Sequence, residues 1–186
     1  MAGTRRLFVG LEVPPEVRAA VEAAFAPWRA MLGRARWVPP ENLHVTVRFL
    51  GSVRTEQVEE VEAAAGAAAA TIEPFRSRLD GVGAFPEPAR ARVLWAGLDD
   101  RPGRMAGLAL ALDAAFAPAF RPEVRAFRPH VTVGRCDPPA QLPATFEETR
   151  IDPVPFEVVR AVLFESVPSR GGPPRYEALA EHPLAG

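Results

Sequence analysis

The sequence contains a single cysteine and no lysine, and each scarcity excludes a class of protein. With Cys136 as the one cysteine, neither an internal disulfide framework nor a cysteine-based zinc cluster fits within one chain. The 22 Lys and Arg positions are all arginine and are balanced by 23 acidic residues, for a formal net charge of -1. This balance disfavours a protein that coats duplex nucleic acid, so any contact with nucleic acid has to come from a local basic patch.

Long apolar runs are missing as well. No stretch approaches the length of a membrane span, and the apolar run near the start is interrupted by Glu12 and Pro14-Pro15, which does not match a secretory signal. We therefore expect a cytoplasmic protein. The chain has 186 residues, 48% hydrophobic and 24% charged, which is typical of a globular protein with a full core or of two small lobes that share an interface.

Apolar periodicity and turn residues predict the order of helices and strands. Thr55 is the expected N-cap of the second helix, and Pro138-Pro139 are expected to open a linker after a strand. The pattern predicts strands over 6–11, 44–50, 76–85, 91–98, 130–136, 156–166 and 175–182, and helices over 15–32, 55–70 and 103–116. Several strands follow one another late in the chain, so the predicted class is α+β with mainly antiparallel sheets.

One tetrapeptide occurs twice, as His44-Val45-Thr46-Val47 and as His130-Val131-Thr132-Val133. With only three histidines in the chain, chance would place a threonine two residues after two of them in about 0.4% of cases. Each copy lies on a predicted strand that follows a strand and a helix. We therefore expect two pseudo-symmetric lobes with flanking helices, whose motif strands face each other around a central cleft.

The alternation of side chains along a strand brings the polar residues of each motif to the same face. His44 and Thr46 share one face of their strand, as do His130 and Thr132, while the valines point to the buried face. Imidazole titrates near pH 6.5, so one histidine can act as a base while the other acts as an acid. The threonine hydroxyls can donate hydrogen bonds to phosphate oxygens as charge develops on them. This set suits in-line attack at phosphorus.

Arginines of the same parity are candidates for phosphate binding. Arg48 continues the face of His44, and Arg128 precedes His130 by two residues with an extended backbone before Pro129. A solvated surface charge is the alternative for both. Arg135 has the opposite parity and is expected to point away, and His182 is expected to be a surface histidine.

Aromatic residues near the motifs are candidates for stacking on a base or ribose. Trp37 and Tyr176 are the two candidates for this contact. Phe49 has the parity of the valines, so we expect it to pack in the core.

Two other functions can be weighed against phosphoester chemistry. A metallohydrolase would use the histidines as ligands, but two strand histidines without a companion cluster leave the coordination shell incomplete. Gly171-Gly172 is followed by prolines and does not form a phosphate-binding loop. A non-catalytic RNA-binding module, in which the histidines only contact phosphate, stays open.

At this point the residues resemble a known family. The segments 36–51 and 127–133 are similar to the two signatures of the two-histidine phosphoesterase superfamily, in its branch of RNA 2′,3′-cyclic phosphodiesterases, also called 2′-5′ RNA ligases. Shorter matches at 6–9, 83–86, 93–95 and 175–176 extend the resemblance over nearly the whole chain.

The resemblance implies a single bilobal phosphoesterase domain over 1–186 with one His-x-Thr-x motif in each lobe. It implies hydrolysis of RNA 2′,3′-cyclic phosphate ends to a 2′-phosphate without metal or cofactor, and a reverse 2′-5′ ligation. It assigns the role of general acid to His44 and the role of general base to His130. Because the two motifs are identical, the residues by themselves do not decide which histidine takes which role. Its expected partners are RNA ends such as tRNA fragments, bound by a monomer.

Overall fold

The computed structural model describes residues 3–101 and 103–185. These residues form nine strands and three α-helices, joined by short 3₁₀ turns and loops. The strands are β1 (Thr4–Glu12), β2 (Arg36–Trp37), β3 (His44–Arg54), β4 (Phe75–Phe85), β5 (Ala91–Leu98), β6 (His130–Ala140), β7 (Pro155–Val158), β8 (Arg160–Val167) and β9 (Arg175–Pro183), and the helices are α1 (Pro15–Met31), α2 (Val58–Ala69) and α3 (Arg104–Phe116).

Most predicted elements are confirmed, with three local corrections. Thr55 is not an N-cap: it begins a 3₁₀ turn, and its hydroxyl donates to the carbonyl of Gly3 at 2.9 Å, so α2 begins only at Val58. Pro138-Pro139 open no linker, because β6 continues through them to Ala140. The strand predicted over 156–166 is divided into β7 and β8, which lie at different places in the sheet.

The strands form one sheet in the order β7-β4-β5-β6-β3-β1-β8-β9, with β2 paired to β6. Each pairing within the described residues is antiparallel. Reading outwards from the centre, the units β6-β5-β4-β7 and β3-β1-β8-β9 mirror each other, and each contains one motif strand. The predicted α+β class and pseudo-symmetry are confirmed, but the motif strands lie side by side at the centre and do not oppose each other.

The helices cover the face of the sheet that the motif valines occupy. Val45, Val131 and Val133 are completely buried in the main core, with Phe25 of α1 and Leu112 of α3. Helix α3 packs on β3, and α2 packs on α3 and β9. The motif histidines point to the opposite face, which we call the motif face. It carries a separate small apolar cluster of Phe8, Val162, Phe164 and Tyr176.

His182 is not simply a surface histidine. It lies in β9 against α2, where a Cβ on Gly66 would come within 3.0 Å of its Nδ1. Burial lowers its pKa, and the nearby Glu62 opposes that shift. This histidine is part of the packing between the last strand and α2. None of the described helices is both long and apolar enough to span a membrane.

Candidate active site

The two motifs meet where the halves of the sheet join. Val45 of β3 pairs with Val131 of β6, the single register pair that joins these strands within the described residues. On that antiparallel register His44 comes opposite Thr132, and Thr46 comes opposite His130. Because directly opposed residues share a face, both imidazoles and both hydroxyls lie on the motif face, related by the pseudo-two-fold at the valine pair.

Hydrogen bonds at both ring nitrogens hold the His44 imidazole in place. Its Nδ1 donates to the carbonyl of Asn42 at 2.7 Å, and its Nε2 lies 2.9 Å from the hydroxyl of Thr46. A carbonyl only accepts, so Nδ1 carries the hydrogen, and Nε2 of the neutral ring accepts a hydrogen bond from the Thr46 hydroxyl. Phe8 and Tyr176 pack against the ring, with centroids 4.8 and 5.0 Å away.

His130 is held in a similar way in the other half. Its Nδ1 donates to the carbonyl of Arg128 at 2.6 Å, so Nε2 of the neutral ring carries no hydrogen. Phe85 lies edge-on at 5.2 Å and Trp95 lies at 6.3 Å. The Trp95 ring covers Gly83, where a Cβ would come within 2.2 Å of the ring, so only glycine fits beneath it. Each imidazole is therefore oriented by a carbonyl and packed among aromatic rings.

This packing changes the proton affinity of both rings. Burial lowers the pKa of His44 to about 4; the hydrogen bond to Asn42 opposes the shift, and the charges of His130 and Arg135 add to it. Burial also lowers the pKa of His130, with the bond to Arg128 opposing and Arg135 adding. Both imidazoles are therefore neutral at pH 7 in the free protein, and a bound anion would raise both pKa values.

A β-bulge reverses the parity of β3 after the motif. Strand β1 pairs with Thr46 and with Arg48 but skips Val47 between them. The extra residue turns Arg48 to the helix face and Phe49 to the motif face. Phe49 is 45% exposed there, which corrects the expectation that it packs in the core.

Arg48 is consequently absent from the motif face. Its side chain is 8% exposed and forms an ion pair with Asp113 of α3, with 2.9 Å between Nε and Oδ1. Its guanidinium also donates to the backbone carbonyls of Phe49 and Arg121. The parity prediction that Arg48 binds phosphate fails here, because Arg48 instead joins β3 to α3.

A matching bulge reverses the parity of β6. Strand β5 pairs with Thr132 and with Gly134 but skips Val133. Gly134 then points to the helix face, and Arg135 returns to the motif face, where its side chain is exposed. The expectation that Arg135 points away is wrong for the same reason that Arg48 was misplaced.

Arg135 lies within electrostatic reach of the whole candidate site. Its charge adds to the lowering of the pKa of His44 and of His130 that burial causes, and it opposes the rise that burial causes in the pKa of Tyr176. Directly opposite it, on β2, lies a second exposed arginine, Arg36. Two like charges in a cross-strand pair repel each other, and an anion bound between them relieves that repulsion.

Arg128 contributes to the site through its backbone and not through its side chain. Its backbone carbonyl accepts the hydrogen bond from His130, and its side chain is exposed to solvent. Unlike Arg135, it does not feature among the charges that shift the pKa of either imidazole. Its structural contribution is the orientation of His130.

The structure places Trp37 on the wrong face for a contact with substrate. Trp37 pairs with Gly134, and a Cβ on that glycine would come within 3.0 Å of the indole. The ring lies edge-on to Phe25 at 6.4 Å, and the guanidinium of Arg29 covers it at 4.8 Å. Trp37 therefore packs between the sheet and α1, which corrects its prediction as a base contact.

Tyr176 does lie on the motif face. Its ring is edge-on to His44 and to Phe8, at 5.0 and 5.1 Å. The loop before it is tied to the first motif, because the Asn42 amide donates to the carbonyl of Pro174 at 2.7 Å. Of the two predicted aromatic contacts, Tyr176 is the one that borders the imidazoles.

Sequence reasoning missed several residues of the motif face, namely Arg135, Arg6 and the rings of Phe8, Phe85 and Trp95. Alternation within β1 and β5 would have been the signal for Phe8 and Trp95, because both strands neighbour a motif strand. Arg135 follows a bulge, and no pattern in the sequence indicated one. The assembled site offers two Nε2 atoms without a hydrogen, two hydroxyls and a guanidinium, which together suit proton transfer around a phosphate-sized anion.

Comparison with known proteins assigns this chain to a family. The family model described as LigT like phosphoesterase matches residues 11–95 and 99–174, which include both motifs. The RNA 2′,3′-cyclic phosphodiesterase of Aeropyrum pernix is 36% identical over 77% of this chain and 83% of its own length. The protein of the same name from Archaeoglobus fulgidus is 34% identical over 70% of this chain and 72% of its own length.

Solved structures with the same fold cover almost the whole chain. A crystal structure of a Thermus thermophilus protein superposes with a TM-score of 0.79 at 30% identity, over 97% of this chain and 98% of that one. Escherichia coli LigT in complex with 3′-AMP superposes with a TM-score of 0.76 at 28% identity, over 99% of this chain and all of that one.

Proposed function

This chain belongs to the LigT-like phosphoesterase family, and from that membership we propose that it is an RNA 2′,3′-cyclic phosphodiesterase. The proposal extends to one bilobal domain over 1–186 with a His-x-Thr-x motif in each lobe. The observation that carries it is the pair of outward-facing imidazoles joined through Val45 and Val131. A merely RNA-binding module would not require both Nδ1 atoms to be anchored to carbonyls so that both Nε2 atoms are available to take or give a proton on one face of the sheet.

The proposed reaction is in-line hydrolysis without a metal. Water attacks phosphorus and gives its proton to Nε2 of the base, the bond from phosphorus to the 3′ oxygen breaks, and the acid protonates that oxygen, leaving a 2′-phosphate. In keeping with the family resemblance, His130 is the base and His44 the acid. Because His44 has a pKa of about 4 in the free protein, it can serve as the acid only after the bound phosphate raises that pKa.

The remaining polar groups of the motif face would bind the phosphate. Once His44 is protonated and no longer accepts from Thr46, the hydroxyls of Thr46 and Thr132 and the guanidinium of Arg135 donate to the non-bridging oxygens as charge develops on them. Tyr176 would contact the terminal ribose or base, because it borders His44. Arg128 acts through its carbonyl on His130.

The same arrangement supports the reverse reaction and defines the partners that we propose. A ribose hydroxyl in place of water would form a 2′-5′ linkage, although hydrolysis is favoured because water is in vast excess. The proposed substrates are RNA ends bearing a cyclic phosphate, including tRNA fragments, and the proposed active species is a cytoplasmic monomer.

Hydrolysis in the presence of a chelator tests the proposal directly. We expect purified protein in EDTA to open an oligonucleotide with a 2′,3′-cyclic phosphate end at the rate seen without EDTA. Mass spectrometry and a 3′-specific phosphatase would then identify a 2′-phosphate as the product. Activity that disappears with EDTA and returns with a divalent ion would contradict the metal-free scheme, and a 3′-phosphate product would contradict the direction of bond cleavage.

The pH dependence should reflect the lowered histidine pKa values. Productive chemistry needs one neutral and one protonated imidazole, and in the free enzyme both lose their protons below pH 6.5. We therefore expect kcat/KM to reach its maximum below pH 6.5 and to fall by up to about tenfold per pH unit on the alkaline side of that maximum. The decline in kcat should begin at a higher pH than the decline in kcat/KM, because bound phosphate raises both pKa values. Initial rates from pH 4 to 9 would check this, and a kcat/KM that rises from pH 6 to 9 would contradict it.

A further inference from the structure

The two halves of the sheet are joined by few direct strand contacts. Val45 and Val131 are the single register pair between β3 and β6 within the described residues, whereas β1 pairs with β3 along its whole length. Helix α3 connects β5 to β6 and so belongs to the half that carries His130. The ion pair of Arg48 on β3 with Asp113 on α3 therefore links the two halves a second time, on the helix face behind the motifs.

The segment 121–129, which leads from α3 to the second motif, is held by the same ion pair. Arg48 donates to the carbonyl of Arg121, and the carboxylate of Asp113 accepts from the backbone N–H of Glu123 at 3.1 Å. The first six residues of the segment are exposed, and its residues make no backbone–backbone hydrogen bond with one another within the described chain. Two side chains from other elements thus anchor a segment that forms no turn of its own.

The segment before the first motif is held by its own backbone instead, because it forms a 3₁₀ turn over Pro40–Asn42. The carbonyl that orients His44 is that of Asn42, the last residue of this turn. The carbonyl that orients His130 is that of Arg128, which belongs to the irregular segment. Contacts from other elements therefore have to fix this second carbonyl.

The end of the segment also has contacts besides the ion pair. Phe127 packs against the main core while partly exposed, and the carbonyl of Pro129 accepts from the N–H of Leu98 at 3.2 Å. Loss of the ion pair should therefore displace the carbonyl of Arg128 without releasing the whole segment.

The position equivalent to Arg48 in the second half is a glycine. Arg48 follows His44 by four residues, Gly134 follows His130 by four, and the indole of Trp37 covers that glycine. The pseudo-symmetric fold is thus built without an arginine at this position in one half. Desolvation offsets most of the attraction in a buried ion pair, so such a pair adds little net stability compared with apolar side chains of similar size. Its effect is expected in the geometry that it enforces.

We propose that Arg48 and Asp113 are positioning residues for the histidine of the second motif. By holding the segment 121–129 against β3, the pair keeps the carbonyl of Arg128 where it accepts from Nδ1 of His130. The Nε2 of that ring then stays free of hydrogen and in place for proton transfer. The effect on the rate rests on the proposed function, whereas the orientation of the imidazole can be measured without any substrate.

Two variants separate positioning from stability. Arg48→Met leaves Asp113 without its partner and should lower both the melting temperature and kcat. The double variant Arg48→Met with Asp113→Leu contains no unpaired charge and should recover most of the melting temperature. Its kcat on a cyclic-phosphate substrate should stay about tenfold below that of the wild type, as a misplacement of less than about 1 Å would cause, with KM little changed.

Nitrogen NMR of the imidazoles gives a readout that does not depend on catalysis. The chain has three histidines, so each signal can be assigned by replacing one histidine at a time. At neutral pH we expect the wild type to show the tautomer with hydrogen on Nδ1 at both His44 and His130. The double variant should show a mixture of tautomers at His130 alone, because the hydrogen bond at Nδ1 is what selects the tautomer.

Arg76→Met is the matched control, because Arg76 forms an exposed ion pair with Glu157 at the β4–β7 edge of the sheet. It should change neither the rate nor the imidazole signals. Recovery of kcat together with the melting temperature in the double variant would overturn the positioning role, as would an unchanged His130 signal or equal changes at His44 and His130. None of these results would affect the proposed function. A wild type that does not open a cyclic phosphate would overturn the proposed function, and the His130 signal would then decide the orienting role by itself.

Discussion

Replacement of His130 or His44 by alanine should lower kcat on a cyclic-phosphate substrate by about 10³ to 10⁴, the upper range for loss of a general acid or base. Each imidazole is anchored through Nδ1 to a backbone carbonyl, so only its Nε2 is available for proton transfer. Single-turnover rates would measure the chemical step.

His182 provides the matched control for these substitutions. It is also a partly buried histidine with a lowered pKa, but it packs against α2 and away from the motif face. His182→Ala should retain kcat within a few-fold even where it lowers the melting temperature. The double variant of His44 and His130 should be little slower than either single one, because the two groups act in one step. If either single variant kept wild-type turnover, two-histidine chemistry would be refuted.

Arg135→Ala should lower kcat/KM by about 10² to 10³, as expected for one lost donor to a developing phosphate charge. Arg128→Ala should change it by only a few-fold, because the backbone carbonyl that orients His130 remains. Strand parity alone predicts the reverse order. The bulge at Val133 decides between the two, since it turns Arg135 to the face that carries the imidazoles.

A shift in the pH profile distinguishes a direct effect of Arg135 from a loss of structure. Its charge lowers the pKa of both imidazoles, so its removal raises both values and moves the falling limb of kcat/KM to higher pH. Arg135→Lys should restore part of the rate, because it keeps the charge without the two-pronged geometry. If Arg128→Ala proved the more damaging change, the placement of Arg135 at the phosphate would be wrong.

The secondary structure was largely predictable because its signals are local. The alternation of valine with polar residues in both motifs identified the strands and placed each histidine beside its threonine on one face. The predictions failed where distant residues decide the outcome. Thr55 is a good N-cap by residue type, but its hydroxyl is taken by Gly3, fifty-two residues earlier in the chain.

The aromatic and arginine residues show the same division. Trp37 and Tyr176 were equivalent candidates by type, and strand pairing separated them: Trp37 pairs with Gly134 on the helix face, and Tyr176 comes beside His44 through β8 and β9. Arg48 and Arg135 exchanged their predicted places, because each follows a bulge that forms only against a neighbouring strand.

The sequence by itself determined the α+β class, the two histidines and two threonines, and the chemistry that those groups can perform, because each depends on residue type and on the two-residue period of a strand. Only the tertiary structure decided that the motifs lie side by side, which arginine joins them, and that both imidazoles are neutral in the free protein. Those properties arise from the pairing, bulges and burial of strands far apart in the chain.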